Sequence, residues 1–249
     1  MSTKGTKPTS GQMSPTTASF VTMLVGPMML AYGSDTLRVT GTLRALAGNF
    51  GAKVRWRTFS ARSEEPNAWT DSATVRNAAG EFSEDISLAG IGSNLWVQAA
   101  LAGGLVSGVT PAEAFASFQA WTKGNGVLIA TETFEVEPDA NTGQNSYYLL
   151  GNEFPALGLT GVMVAAVVTG VSGTLKWNIG SRLVQADPAN PGAWTDLLGV
   201  DATATGNTTW NSGNLALAPG AFATVQCALK IPANNARGRL QVLLAAKYG

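Results

Sequence analysis

The chain of 249 residues has no histidine, a single cysteine and only 13% charged residues. Without histidine there is no Ser-His-Asp or Cys-His machinery, and no imidazole to ligate zinc or copper. A lone Cys227 can form neither an internal disulfide nor a Cys-rich metal site. It lies in "FATVQCALKI", where Ala223, Val225, Cys227, Leu229 and Ile231 share one strand face, so it reads as a buried apolar thiol. Sixteen bases balance sixteen acids, which removes any general attraction to nucleic acid or an anionic membrane. The same balance leaves little self-repulsion to oppose the crowding of copies. The apolar run "FVTMLVGPMMLAYG" is broken by Gly26-Pro27 and is shorter than the roughly 20 residues that span a bilayer. It reads as a first strand. The polar, Pro-containing residues 1–20 before it read as a flexible arm; a signal peptide cleaved near "AYG" (31–33) is the less favoured alternative, since the polar leader is long.

What is present is glycine, 29 residues of it, within a 45% apolar composition. Short strands joined by tight turns fit that balance better than Lys- and Glu-rich surface helices. "LRVTGTLRA" sends Leu37, Val39 and Leu43 to one face and Arg38, Thr40, Thr42 and Arg44 to the other. "KVRWRT" alternates Val54 and Trp56 against Lys53, Arg55 and Arg57, and "TLKWNI" repeats the arrangement with Leu175, Trp177 and Ile179. Period two with one polar face marks strands covered on one side by a second sheet. "GVMVAAVVTGV" (161–171) lacks the polar face and reads as buried on both sides.

Several phrases occur twice in the same order. "TLRVTGTLRAL" (36–46) matches "ALGLTGVMVAA" (156–166), Trp56 falls on Trp177, and "AWTD" stands at 68–71 and 193–196. "ISLAG" (86–90) answers "LALAP" (215–219), "VQAAL" (97–101) answers "VQCAL" (225–229), and "GVLIA" (126–130) answers "QVLLAA" (241–246). A module repeated only twice excludes solenoids and propellers. Turn clusters such as "ADPANPGA" and "IPANNARG" separate the strands and favour β-sandwiches over βαβ units. "TPAEAFASFQAW" carries a capping pattern, Thr110, Pro111 and Glu113, and predicts one short helix with Phe115 and Phe118 on its apolar stripe. The expected fold is therefore all-β: two tandem jelly-roll-like antiparallel sandwiches from an internal duplication, one helix inserted in the first. The expected divisions are the arm 1–20, a sandwich 21–133, a linker 134–146 and a sandwich 147–249.

Candidate chemistry is sparse. The Gly-rich "LAGIGSNLW" and "LAGGLVSG" are not followed by the residues of a phosphate loop. "DANTGQN" (139–145) departs from a calcium loop at its glycine and its closing position. The carboxylate pairs Glu64–Glu65 and Glu135–Glu137 lie in polar, turn-rich contexts that do not raise a carboxyl pKa as a glycosidase requires. No cofactor or metal is expected. Charge is nevertheless segregated. Arg38, Arg44, Lys53, Arg55, Arg57 and Arg62 fall within 36–62 without an acid, and Glu132, Glu135, Glu137, Asp139 and Glu153 fall within 124–175 without a base. This reads as a solvated sheet face, as electrostatic registry between the basic sheet of one copy and the acidic linker of another, or, less well, as a nucleic-acid face, since Trp56 points away from the bases. Trp56, Trp177, Trp69 and Trp194 read as core. Trp121 and Trp210 have polar neighbours and read as exposed, either interface anchors or sugar-stacking platforms.

The architecture resembles the double jelly-roll capsid proteins of bacterial viruses, in which two stacked sandwiches share one chain. In that family a short helix accompanies the later strands of each sandwich, and "TPAEAFASFQAW" would be that element here. The resemblance covers most of residues 21–249. It implies a virion protein, capsid or capsid-associated, that assembles in the host cytoplasm with copies of itself and other virion proteins. Nucleic acid and membrane are not expected as partners. The candidate interface residues, taken from the charge segregation and the exposed tryptophans, are Arg38, Arg44, Lys53, Arg55, Arg57, Glu135, Glu137, Trp121 and Trp210. The alternative is a carbohydrate-binding pair of sandwiches with exposed tryptophan against sugar. An enzyme is disfavoured by the missing acid–base and metal residues.

Overall fold

A computed structural model describes residues 7–60, 66–91, 94–108, 112–137, 145–184, 192–217, 224–233 and 235–249. Every regular element among them is a strand. The chain divides into two units, Met1–Gly124 and Asn125–Gly249. In the first, the strands are β1 (Thr9–Met13), β2 (Val21–Leu30), β3 (Ser34–Ala47), β4 (Phe50–Phe59), β5 (Thr70–Asp71), β6 (Gly80–Ser87), β7 (Trp96–Leu105) and β8 (Glu113–Gly124). In the second they are β9 (Gly126–Val136), β10 (Ser146–Leu149), β11 (Phe154–Pro155), β12 (Leu159–Ser172), β13 (Leu175–Val184), β14 (Thr195–Asp196), β15 (Ala202–Ala204), β16 (Thr208–Asn211), β17 (Leu215–Ala216), β18 (Thr224–Ile231) and β19 (Arg237–Tyr248).

The two units use one strand order. The first has antiparallel sheets β1-β8-β3-β6 and β2-β7-β4-β5. The second has β9-β19-β12-β16 and β10-β18-β13-β14, with the short β11, β15 and β17 added to β18, β13 and β12. The correspondence holds residue by residue around "AWTD". Arg55 pairs with Asp71 and Trp56 with Thr70; Gly180 pairs with Asp196 and Ser181 with Thr195. The flanking amides repeat too: Asn67 donates to the Thr58 carbonyl at 3.0 Å and Gly192 to that of Leu183 at 2.9 Å. Arg57 lies opposite Gln98, and Arg182 opposite Gln226. Leu37 pairs with Ile86 and Val162 with Leu215, which matches "ISLAG" to "LALAP" as expected.

Two other matches sit on the right strands in the wrong register. The residue standing where Trp56 stands is Ser181, so Trp177 lies farther back along its strand. Arg38 is opposite Trp121 on β3, and its counterpart on β12 is Met163, opposite Ala245. Thr40-Gly41 therefore corresponds to Ala165-Ala166 rather than to Thr160-Gly161.

In each unit both sheets contribute to a single apolar core. Leu37, Val39 and Leu43 of β3 and Ala116, Phe118 and Ala120 of β8 meet Phe50 and Val54 of β4 and Val97, Ala99 and Leu101 of β7. The second core joins Val162, Val164 and Ala166 of β12 and Leu240, Val242 and Leu244 of β19 to Trp177, Ile179 and Cys227 from the other sheet. As its lack of a polar face predicts, β12 is buried on both sides, since Met163 and Ala165 are also 1% exposed.

Three expectations are corrected. The expected helix is strand β8, hydrogen-bonded along β3 and β1. Ala114, Ala116, Phe118 and Ala120 face inward while Glu113, Phe115, Ser117, Gln119 and Trp121 face out, a period of two that puts the two phenylalanines on opposite faces. The capping residues Thr110 and Pro111 lie outside the described residues. Next, Glu135 is not in a linker: β9 runs to Val136 and pairs along β19, so "GVLIA" and "QVLLAA" are neighbours in one sheet. The division falls between Gly124 and Asn125 instead of at 133/134. Lastly, part of the expected arm is strand β1, an edge strand on β8 whose Met13 is fully buried. The Gly26-Pro27 break survives as a register shift in edge strand β2, a position where proline's missing donor costs no ladder bond.

Candidate functional site

The outer face of the β2-β7-β4-β5 sheet carries a latch built from the repeated phrase. Arg57 of β4 donates from Nε and Nη2 to Gln98 Oε1 at 3.0 and 2.8 Å, and its guanidinium lies 4.3 Å from the Trp69 ring centre. Beside it, Arg55 donates to Asp71 Oδ1 and to Thr22 Oγ1, each at 2.8 Å. Lys53 sits 4.8 Å from the centre of the Phe20 ring. The second unit rebuilds the latch: Arg182 donates to Gln226 Oε1 at 2.9 and 2.7 Å and lies 4.5 Å from Trp194. Tyr147 stacks on Trp194 with centroids 5.3 Å apart, and Asp196 takes Lys230 as its ion partner. Stacking and bidentate donation are what a planar guanidinium does well. Trp69 and Trp194 are thus clamps on the outer faces rather than core residues.

On the β1-β8-β3-β6 sheet, Arg38 is ion-paired with Asp85, which Lys123 also approaches at 3.5 Å. The Arg38 hydrogen bond holds the Asp85 carboxyl down at about 2. Trp121 is half-buried directly opposite Arg38, and Arg44 is exposed opposite Phe115. Between those two rows the surface dips into an open hollow of about 580 Å³ lined by Thr40, Thr42, Glu81, Ser83, Ser117 and Gln119.

The remaining expected site residues are elsewhere. Glu135 and Glu137 face Arg239 at 3.2 Å and Arg237 at 2.7 Å, both on neighbouring β19. Each acid therefore has a base within its own sheet, and Arg38 and Arg55 each have an acid. Trp210 is not an exposed platform. It packs against the second core, edge-on to Trp177 with centroids 5.6 Å apart at 88°. Trp177 is fully buried, while Trp56 is half-buried against the first core. Burial pushes the Cys227 thiol up to about 12, so it stays protonated. Among the described residues no three His, Cys, Asp or Glu side chains gather to hold a metal. No helix is long and apolar enough to cross a membrane. The 139–144 part of the calcium-like loop and Glu64–Glu65 lie outside the described residues. The hollow and the latches escaped sequence reasoning. For the latches a signal existed, since "AWTD" and "VQ" recur together with an arginine on the strand between them.

No family model matches the chain, and no curated protein matches it. Among solved structures it is similar to the N-terminal CBM22-1-CBM22-2 tandem domain of Xyn10C from Paenibacillus barcinonensis, at 9% identity over 98% of each chain with a TM-score of 0.29. It is also similar to the infectious bursal disease virus Gx strain structure, at 8% identity over 100% of this chain and 74% of that one, TM-score 0.35. The STIV MCP matches at 7% identity over 97% of each, TM-score 0.26. Likenesses this loose carry no argument about what the chain does.

Proposed function

We propose that the chain is a structural subunit of a virus particle, capsid or capsid-associated, acting by association with copies of itself and with other virion proteins. The observation that carries this reading is the strand order, written twice. Sheets ordered β1-β8-β3-β6 and β2-β7-β4-β5, repeated as β9-β19-β12-β16 and β10-β18-β13-β14, are two Greek keys wound into a jelly roll, twice over. Jelly rolls build viral capsid domains, and they avoid long open sheet edges by closing two sheets on each other. The "AWTD" turns repeated bond for bond support an origin by internal duplication. A net charge of zero lets such subunits crowd without long-range repulsion.

The test is assembly of the purified chain, followed by sizing and electron microscopy over a range of salt and concentration. Regular oligomers or closed shells are expected. A monodisperse monomer under every condition overturns the reading.

A further inference from the structure

The hollow on the β1-β8-β3-β6 face has a chemistry unlike the rest of the surface. Rows across the sheet follow from the register. Ser117 lies opposite Thr42 and Thr42 opposite Glu81; in the next row Gln119 lies opposite Thr40 and Thr40 opposite Ser83. Four hydroxyls and one carboxamide thus line a single depression, and each of these groups can both donate and accept hydrogen bonds. Among the described residues Glu81 is the only ionisable side chain lining it, and it disfavours an anionic ligand. Of the two bases flanking it in the register, Arg38 is engaged by Asp85, and Arg44 at the other edge offsets the single charge of Glu81. The volume, about 580 Å³, falls in the range of small-ligand sites, roughly 300–1,000 Å³.

Aromatic side chains flank the hollow on the same strand face. Phe115 of β8 is 47% exposed on one side, and half-buried Trp121 is on the other. Along a strand those positions are about 20 Å apart, with the polar rows between them. Aromatic faces accept apolar C–H surface, while the hydroxyls between accept polar edges. A neutral polyhydroxylated chain presents both.

We propose that this hollow binds a neutral oligosaccharide. The site goes beyond the structural role and does not depend on it, because it is complete within the first unit. Its counterparts in the second unit are Ala165, Val167 and Leu243, opposite Leu243, Gln241 and Ala165 respectively. Ala165 and Leu243 are buried and apolar. Binding therefore belongs to the first unit alone.

Saturation-transfer NMR on the full chain tests this with cellohexaose, xylohexaose, maltohexaose and mannohexaose, each at roughly millimolar concentration. Transfer to at least one is expected, with shifts confined to Thr40, Thr42, Ser117, Gln119 and Trp121. The Thr42→Val/Gln119→Met double variant, which keeps side-chain shape but removes hydrogen bonds, should weaken binding about tenfold or more. Its thermal unfolding should match the wild type. Should that variant fail to fold, the wild-type shift map decides. No transfer from any of the four, shifts elsewhere, or unchanged affinity in the folded variant overturns the proposal. Particle assembly, measured separately, can succeed or fail without affecting the result.

Discussion

The two units place different chemistry on the same scaffold positions. On the outer face of β3 the residues Arg38, Thr40 and Thr42 stand opposite Trp121, Gln119 and Ser117. On β12 the same places hold Met163, Ala165 and Val167, opposite Ala245, Leu243 and Gln241. The first set is polar and partly open to solvent; in the second, Met163, Ala165 and Ala245 are 1% exposed or less. The inward-facing positions behave differently. Leu37, Val39 and Leu43 are answered by Val162, Val164 and Val168, which are equally buried. Inward positions must fill a sandwich interior and stay apolar. Outward positions answer to whatever lies outside, so they record how the two units diverged in use.

The largest expected effect comes from exchanging those outer residues. Met163→Arg puts a guanidinium where the surroundings are apolar and dry, and leaving a charge buried without a partner costs about 3–5 kcal/mol. The reciprocal Arg38→Met removes a pair whose side chains are 35% and 43% exposed. Pairs of that kind contribute little, so its urea midpoint should stay at the wild-type value. Equal losses in the two variants would show that the faces are not different environments.

The outward divergence also explains what the sequence made legible. Period-two patterning identified β3, β4 and β13 and put Leu37, Val54, Trp177 and Ile179 inward, because one face of each strand is held to apolar residues. "AWTD", "VQ" and "ISLAG" aligned correctly because they sit where the two units make the same hydrogen bonds and contacts. β8 was missed for a physical reason. Its inward residues Ala114, Ala116 and Ala120 are small because they share the core with Phe118 and Phe50, and alanine carries helical rather than strand preference. With β8 read as a helix the first module is one strand short, and "GVLIA" closes it. That single substitution moved the domain boundary. Trp210 misleads in a similar way: Thr209 and Asn211 beside it point outward, and a short strand with one apolar inward residue shows no periodicity. The hollow was not legible, since its residues come from three strands whose register no local pattern reveals.

The latches sharpen the comparison from the opposite side, because here the units agree. Gln98→Ala and Gln226→Ala each leave an arginine without its two-donor acceptor. Hydrogen bonds to charged groups contribute about 1.5–3 kcal/mol, so each variant should lose that order of stability in chemical unfolding. The losses should be alike despite different neighbours, Phe59 beside Arg57 and Tyr147 beyond Trp194. Desolvation already lowers the Arg57 pKa, which makes the Gln98 carbonyl the more important as a partner. A loss in one unit only would mean that the repeated geometry is held by its neighbours, Arg55–Asp71 in one and Lys230–Asp196 in the other.

The smallest expected difference lies in alkali. Burial raises the Cys227 thiol from 9.0 to about 12 and the Tyr32 phenol from 10.0 to about 12. For both groups the folded pKa lies above the unfolded one, so as pH rises the unfolded chain releases its proton first. Stability is therefore complete below the ordinary pKa and declines as pH climbs toward the folded value. In the second unit the decline begins near 9.0, and in the first near 10.0. Cys227→Ala should flatten the earlier part of the decline in urea midpoint against pH, and Tyr32→Phe only the later part. If Cys227→Ala leaves the slope between those values unchanged, the thiol already ionises in the folded chain, and native Cys227 should then react rapidly with a thiol reagent at pH near 9.0, which its complete burial in the second core is expected to prevent.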